Sequence, residues 1–161
     1  MDLTYVDAIN SLKKNLFKLW QNFWDSSSES RGFYLHSVMP RIGCKSWFHD
    51  SRLYRRLIVL ITRLRMGHAA TPRKLFQFHL RDTPFCDCDG IQMGDVNHIF
   101  LGCSKNTRAI DLFYIRFSQK IPFPTSMQLI LAYFNPDCHE FEIQEAIIKL
   151  LIASKLYIYK F

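Results

Sequence analysis

The sequence predicts a mainly α fold: five to seven packed helices, a small cysteine–histidine loop between them, and at most a short strand or two. Two observations carry this. Apolar residues recur at helical spacing in successive segments, each bounded by capping or breaking residues. Between the central segments lies one short, turn-rich stretch holding Cys86, Cys88, His98 and Cys103. Apolar content of 48% and charged content of 22% are ordinary for a globular domain, so wholesale disorder is excluded. No apolar run approaches the ~18–20 residues that a bilayer-spanning helix needs.

The first segment runs from Leu3 to Trp24, with Ile9, Leu12, Leu16, Leu19 or Trp20, and Phe23 on one face of an amphipathic helix. The serine run Ser26 to Ser30 ends it as a joint. Residues 31 to 49 keep no period and read as irregular with a short strand. Asp50 or Ser51 can cap a second helix to about Arg65, with Leu53, Leu57, Ile58, Ile61 and Leu64 as its buried stripe and Gly67 as its stop. Thr71-Pro72 opens a shorter helix through Leu80, proline being tolerated in a first turn. Residues 104 to 119 read as helix, broken at Ile121-Pro122-Phe123-Pro124. Thr125 or Ser126 caps the next, which ends near Asn135-Pro136. The last runs from Phe141 to about Tyr159, with Ile143, Ile147, Leu150 and Leu151 on its apolar face and Glu145 set to pair with Lys149. The chain therefore divides into an N-terminal helix and joint (1–30), a basic helical region with the cysteine–histidine loop (31–120), and C-terminal helices (121–161).

Charge is distributed unevenly. Residues 31 to 81 hold eleven basic residues (Arg31, Arg41, Lys45, Arg52, Arg55, Arg56, Arg63, Arg65, Arg73, Lys74, Arg81) against one acid, Asp50, while the whole chain carries only +7. A block of about +10 is the footprint of a surface that meets phosphates, or a solvated face. The expected contacts are Arg52, Arg55, Arg56, Arg63, Arg65, His68, Arg73, Lys74 and Arg81; Trp47, Phe48 or His68 can stack on bases, the alternative for Trp47 and Phe48 being core packing and for His68 a helix cap or a second ligand set.

Cys86, Cys88, His98 and Cys103 spell C-x-C-x9-H-x4-C. Three thiolates and an imidazole fill the tetrahedral shell that Zn2+ favours and leave no open position, so such a site is structural. Pro84, Gly90 and Gly94 supply turns, and Asp95 can cap a short helix that carries His98 and delivers Cys103 at its end. The single residue between the first two cysteines is tighter than most zinc sites use. The same residues also suit small buried thiols and a core histidine. Five cysteines and no leader-like N-terminus point to a reducing compartment rather than a disulfide framework. Cys44 and Cys138 read as packing residues, and adjacent Cys138-His139 is a poor nucleophile–base pair because neighbours on a helix seldom face each other.

Three stretches in order resemble a known family: Leu19-Trp20-Gln21-Asn22-Phe23-Trp24-Asp25 continuing to Trp47-Phe48; Ile61-Thr62-Arg63-Leu64-Arg65-Met66-Gly67-His68; and Asp82-Thr83-Pro84-Phe85-Cys86-Asp87-Cys88 with Val96-Asn97-His98-Ile99-Phe100-Leu101-Gly102-Cys103. Together they cover most of residues 15 to 120 and resemble the C-terminal zinc-binding region of the reverse transcriptase polyprotein of insect-type non-LTR (LINE-like) retrotransposons. The C-x-C spacing is usual there, whereas the glycine that follows the second cysteine in that family is displaced here by Asp89. The resemblance implies a structural Zn2+ on the four ligands and RNA or DNA as partner. It also implies a fragment of a longer element, docking to the polymerase region of a complete one, and access to the nucleus or cytoplasm. No polymerase, endonuclease or RNase H carboxylate cluster is evident, so no catalysis is expected from this chain. The alternative is a docking or dimerisation scaffold that binds no nucleic acid.

Overall fold

The computed structural model describes residues 4–30, 32–43, 45–49, 53–121, 125–134 and 140–154. Among them are seven α-helices: α1 (Tyr5–Ser27), α2 (Phe33–Val38), α3 (Arg55–Arg65), α4 (Pro72–Gln77), α5 (Thr107–Phe117), α6 (Met127–Leu131) and α7 (Phe141–Ala153). No strand forms among the described residues. The expected strand in 31–49 is instead α2, entered through Gly32 at φ +73, a backbone state glycine reaches without penalty. The Asp50 and Ser51 caps, the 122–124 break and the 135–136 stop fall outside the described residues, as do Cys44, Cys138, His139 and the extension of α7 to Tyr159.

Helix ends follow local chemistry. Thr4 and Asp7 form a reciprocal capping box on α1, the Asp7 amide donating to Thr4 Oγ1 at 3.2 Å and the Thr4 amide to Asp7 Oδ2 at 3.1 Å. At its other end Ser26 and Ser27 hydroxyls donate to the Phe23 carbonyl and Ser28 to that of Asp25, which satisfies carbonyls the helix leaves over. α3 stops in a Schellman motif: the His68 amide donates to Arg63 O and the Gly67 amide to Leu64 O, with Gly67 at φ +69. α4 ends in the same way without a glycine. His79 takes φ +56 while Leu80 N bonds Leu75 O and His79 N bonds Phe76 O, which closes the helix before the expected Leu80.

α5 packs on α7, while α2 and α3 pack on α6. One core links the two groups, built from Val38, Ile61, Leu64, Phe100, Phe113, Ile130, Ile143 and Ile147 among others. α7 buries Ile143, Ile147, Leu150 and Leu151, the face its spacing predicts, and Lys149 meets Glu145 at 2.8 Å.

α3 is rotated from the expected stripe. It buries Leu60, Ile61, Leu64 and also Arg65, which follows Ile61 by one helical turn and is 3% exposed. The Arg65 guanidinium donates to Phe134 O at 2.7 Å and lies 5.7 Å over the Trp47 ring. It neutralises the carbonyl end of the 3-10 turn that follows α6, where the helix dipole is negative. Burial pulls its pKa down to about 10, so it is still charged at neutral pH. Arg65 therefore belongs to the core, not to a phosphate-facing surface.

α1 differs from every other long helix: it buries no residue. Its last turns are tethered by polar groups. Trp24 Nε1 donates to Met39 O at 3.1 Å, Gln21 Nε2 to Pro40 O at 2.9 Å, and the Ile42 amide returns a bond to Gln21 Oε1 at 3.0 Å.

Candidate metal centre

Four ligand side chains arrive from two small pieces of backbone. The first is a tight hairpin. The Cys86 amide donates to Gln92 O at 2.8 Å and the Gly94 amide to Pro84 O at 2.9 Å, flanking an antiparallel bridge between Phe85 and Met93. The turn closes with Gly90 N on Cys86 O, and Gly90 sits at φ +70. One position earlier, Asp89 Oδ1 accepts the Gln92 and Ile91 amides, both at 3.0 Å, and these bonds hold its carboxyl below the ordinary aspartate value. The glycine displaced by Asp89 thus still supplies the left-handed residue of the turn. Asp87, between the two cysteines, is bound outwards by Arg81.

The second piece is a single wide turn. Asp95 Oδ1 accepts the His98 amide at 2.8 Å, as the sequence leads one to expect of a cap. The backbone then widens into a π turn over His98–Gly102, which buries Ile99 and Phe100 and leaves Cys103 extended at its end. The hydrogen bonds of a π turn reach to the fifth residue along, and His98 and Cys103 stand at its two ends.

Together the pieces bring all four ligand atoms within 4.8 Å of one another. Cys86 Sγ lies 3.7 Å from Cys103 Sγ, and Cys88 Sγ lies 3.2 Å from His98 Nε2. A tetrahedral ion with bonds of about 2.3 Å to sulfur and about 2.0–2.1 Å to nitrogen sets edges of about 3.8 and 3.5 Å. Those two pairs are close to that size, and the four atoms together are compact enough to share one ion. The cluster does not have the size of a disulfide, whose sulfurs stand about 2.05 Å apart, and the three cysteines are free. Cys86 and Cys103 are buried, and Cys88 and His98 half-buried. Desolvation, then the Cys86 thiol alongside, pushes the Cys88 thiol above its ordinary pKa. Three sulfur atoms and an imidazole nitrogen gathered this closely are a donor set suited to a soft metal ion. The cluster could hold a metal ion.

Neighbouring residues fasten it to the fold. Arg81 reaches across the hairpin base, pairing with Asp87 while donating to Thr83 O at 3.1 Å and Phe85 O at 3.3 Å. A β-carbon at Gly94 would stand 2.6 Å from Pro72 Cβ, so glycine is required for the hairpin to lie against α4. The Arg73 amide donates to Gly94 O at 3.1 Å, and its guanidinium lies 3.8 Å from Asp95. On the opposite side, Asn97 Oδ1 accepts the first amide of α6, that of Met127, at 2.9 Å. Asn106 Nδ2 donates to Ile99 O at 2.8 Å. Sequence reasoning missed Asn97 and Gly94 as fasteners. Their partners lie far along the chain, and neither residue stands out where it occurs.

The other candidate residues are dispersed. Arg55, Arg56 and Arg63 are exposed on α3, whose first turn has no acid. Arg73 is half-exposed, and Lys74 lies 5.2 Å over the Phe78 ring. His68 is exposed just past the α3 stop. Arg52 lies outside the described residues. Trp47 packs edge-on against Phe134 at 5.5 Å and Phe48 at 5.4 Å, and its indole N–H donates to Thr62 Oγ1, so its rings serve the core. Among the described residues, no helix is long and apolar enough to cross a membrane. No known protein family, curated protein or solved structure matches the chain, which leaves the centre and its surroundings as the ground for a function.

Proposed function

We propose that this chain is a non-catalytic nucleic-acid-binding module in which a structural Zn2+ on Cys86, Cys88, His98 and Cys103 holds a basic surface in register. It would act in the manner of the post-polymerase region of non-LTR retrotransposon reverse transcriptases, which its motifs resemble. The observation that carries the proposal is the seam between the cluster and the basic segment: Pro72 against Gly94, and the Arg73 amide on Gly94 O. Through that seam the ion fixes α4 and, by the short turn after Gly67, the end of α3. Arg55, Arg56, Arg63, Arg73 and Lys74 are the phosphate contacts. Arg65 and Arg81, engaged by Phe134 O and Asp87, keep the support rigid.

Zinc is favoured over harder cations by three sulfur ligands, and a closed four-ligand set supplies folding energy rather than a reactive water. The test has two readouts. Elemental analysis should find one equivalent of zinc, lost in Cys86→Ser/Cys103→Ser. Titration of labelled single-stranded RNA and duplex DNA should give an affinity falling with salt by about 0.7–0.9 log units per log unit of salt for each phosphate contact. Arg55→Glu/Arg56→Glu/Arg63→Glu should abolish most of that slope. Undiminished binding in the charge-reversed chain removes α3 as the binding face, and binding to neither nucleic acid overturns the proposal.

A further inference from the structure

The unused feature of the molecule is α1. From Thr4 to Trp20 every residue but Ile9 and Phe17 is exposed, including Leu12 at 63%, Leu16 at 64% and Leu19 at 65%, and Phe23 beyond them is 69% exposed. Tyr5, Ile9, Leu12, Leu16, Leu19 and Phe23 follow one another at alternating steps of four and three, the repeat of a coiled-coil seam rather than of a broad core-facing stripe. A helix of roughly 16 residues standing alone is marginal in water, so this one needs a cover.

We infer that α1 is a dimerisation helix that pairs with α1 of a second copy of this chain. This goes beyond the nucleic-acid reading and does not depend on it. A second copy supplies a strip of the same length and spacing. Set antiparallel, Tyr5 meets Phe23, Ile9 meets Leu19 and Leu12 meets Leu16 across the seam, so every layer joins an a-type to a d-type position. With Val6 at 62% and Trp20 at 53% exposed on the flank, the strip runs about five helical turns, and the part of it a partner helix covers makes an interface at the small end of those that hold a dimer, in keeping with micromolar association. A lipid surface fits less well. The polar face carries three lysines against two aspartates, with asparagine and serine between, instead of the strongly basic face of interfacial helices.

Sedimentation equilibrium of the full chain across about 1–100 µM is the test, a range that brackets micromolar association. The expected mass at the upper end is twice the 19.1 kDa of the chain. Leu12→Glu/Leu19→Glu should return it to monomer, with a thermal midpoint unchanged in dilute solution, where the parent is also monomeric, because α1 contributes nothing to the core. A parent that stays monomeric throughout overturns the inference, and flotation of that monomer with anionic phospholipid vesicles would assign the face to lipid. A double variant that still dimerises with its midpoint unchanged also overturns it.

Discussion

α1 and α7 look alike on paper and behave oppositely in the fold. Each repeats apolar residues at three-and-four spacing beneath a polar face. α7 buries Ile143, Ile147, Leu150 and Leu151 against a core that includes Phe113 and Phe117 of α5, whereas α1 buries nothing. α5 lies upstream of α7 and presents a matching apolar face. Among the described residues, the segment from His36 to Ile42 is what bonds to the body of α1, and it offers carbonyls, an amide and an imidazole. Periodicity states which face must be covered. Whether the chain itself provides the cover is a property of the rest of the sequence.

The largest effect should come from neither helix but from the cluster that stands between them in the chain. Structural zinc sites contribute on the order of 10 kcal/mol to folding, so chelation or Cys86→Ser/Cys103→Ser should melt the region around the hairpin, visible as lost near-ultraviolet circular dichroism. The two helices separate next. Ile147→Ala should cost about 2–5 kcal/mol in urea unfolding, as expected of a fully buried aliphatic residue. Leu16→Ala should shift the same midpoint by less than about 0.5 kcal/mol in dilute solution. Equal costs would erase the distinction between them. A cost at Leu16 that grows with protein concentration would sharpen it.

Arg65 tests whether a charge can belong to the packed side of that comparison. Arg65→Ala leaves Phe134 O without this donor and opens a cavity, so about 2–4 kcal/mol should be lost, with salt-dependent nucleic-acid binding otherwise retained. A variant that keeps full stability but loses binding would return Arg65 to the surface. His79 should show a smaller effect of opposite sign. His79→Gly relieves a left-handed residue at the end of α4 and should raise stability by up to about 1 kcal/mol.

The smallest effect is on α1 alone. The Thr4 hydroxyl, then its amide, holds the Asp7 carboxyl below its usual value of 3.8. A depressed acid supports structure above its unfolded pKa and loses that support as pH falls through the folded one. Helicity of α1 should therefore lose this support only below about pH 4. Thr4→Ala, which keeps the amide bond but loses the hydroxyl, should weaken that pH dependence.

Legibility divides along the same line between local and distant causes. The Asp95 cap, the Gly67 stop, the apolar face of α7 and the ligand set are all written in residues a few positions apart, and each appears where the spacing places it. The irregular stretch of 31–49 hid α2, because a helix of six residues carries too few apolar repeats to show a period. The side of α3 that turns inwards is set by α2 and α6, which is why Arg65 read as a surface charge. The exposure of α1 was invisible for the reason already given. The left-handed end of α4 falls on a histidine, and the usual glycine signal is missing.

The bond from Met127 N to Asn97 Oδ1 bears on the order of events during synthesis. All four ligands lie within an eighteen-residue stretch, Cys86 to Cys103, that leaves the ribosome ahead of α5, α6 and α7. Closing so short a loop takes well under a millisecond, about 10–100 ns for ten residues, whereas the ribosome adds only about 5–20 residues each second. The metal turn can therefore be complete when α6 emerges, with Asn97 already positioned as its first hydrogen-bond acceptor. With the proposed ion bound, a site closed mid-chain would become the template on which the last third of the protein is laid down, and a cell short of the metal would meet the defect as a nascent chain that fails to finish folding.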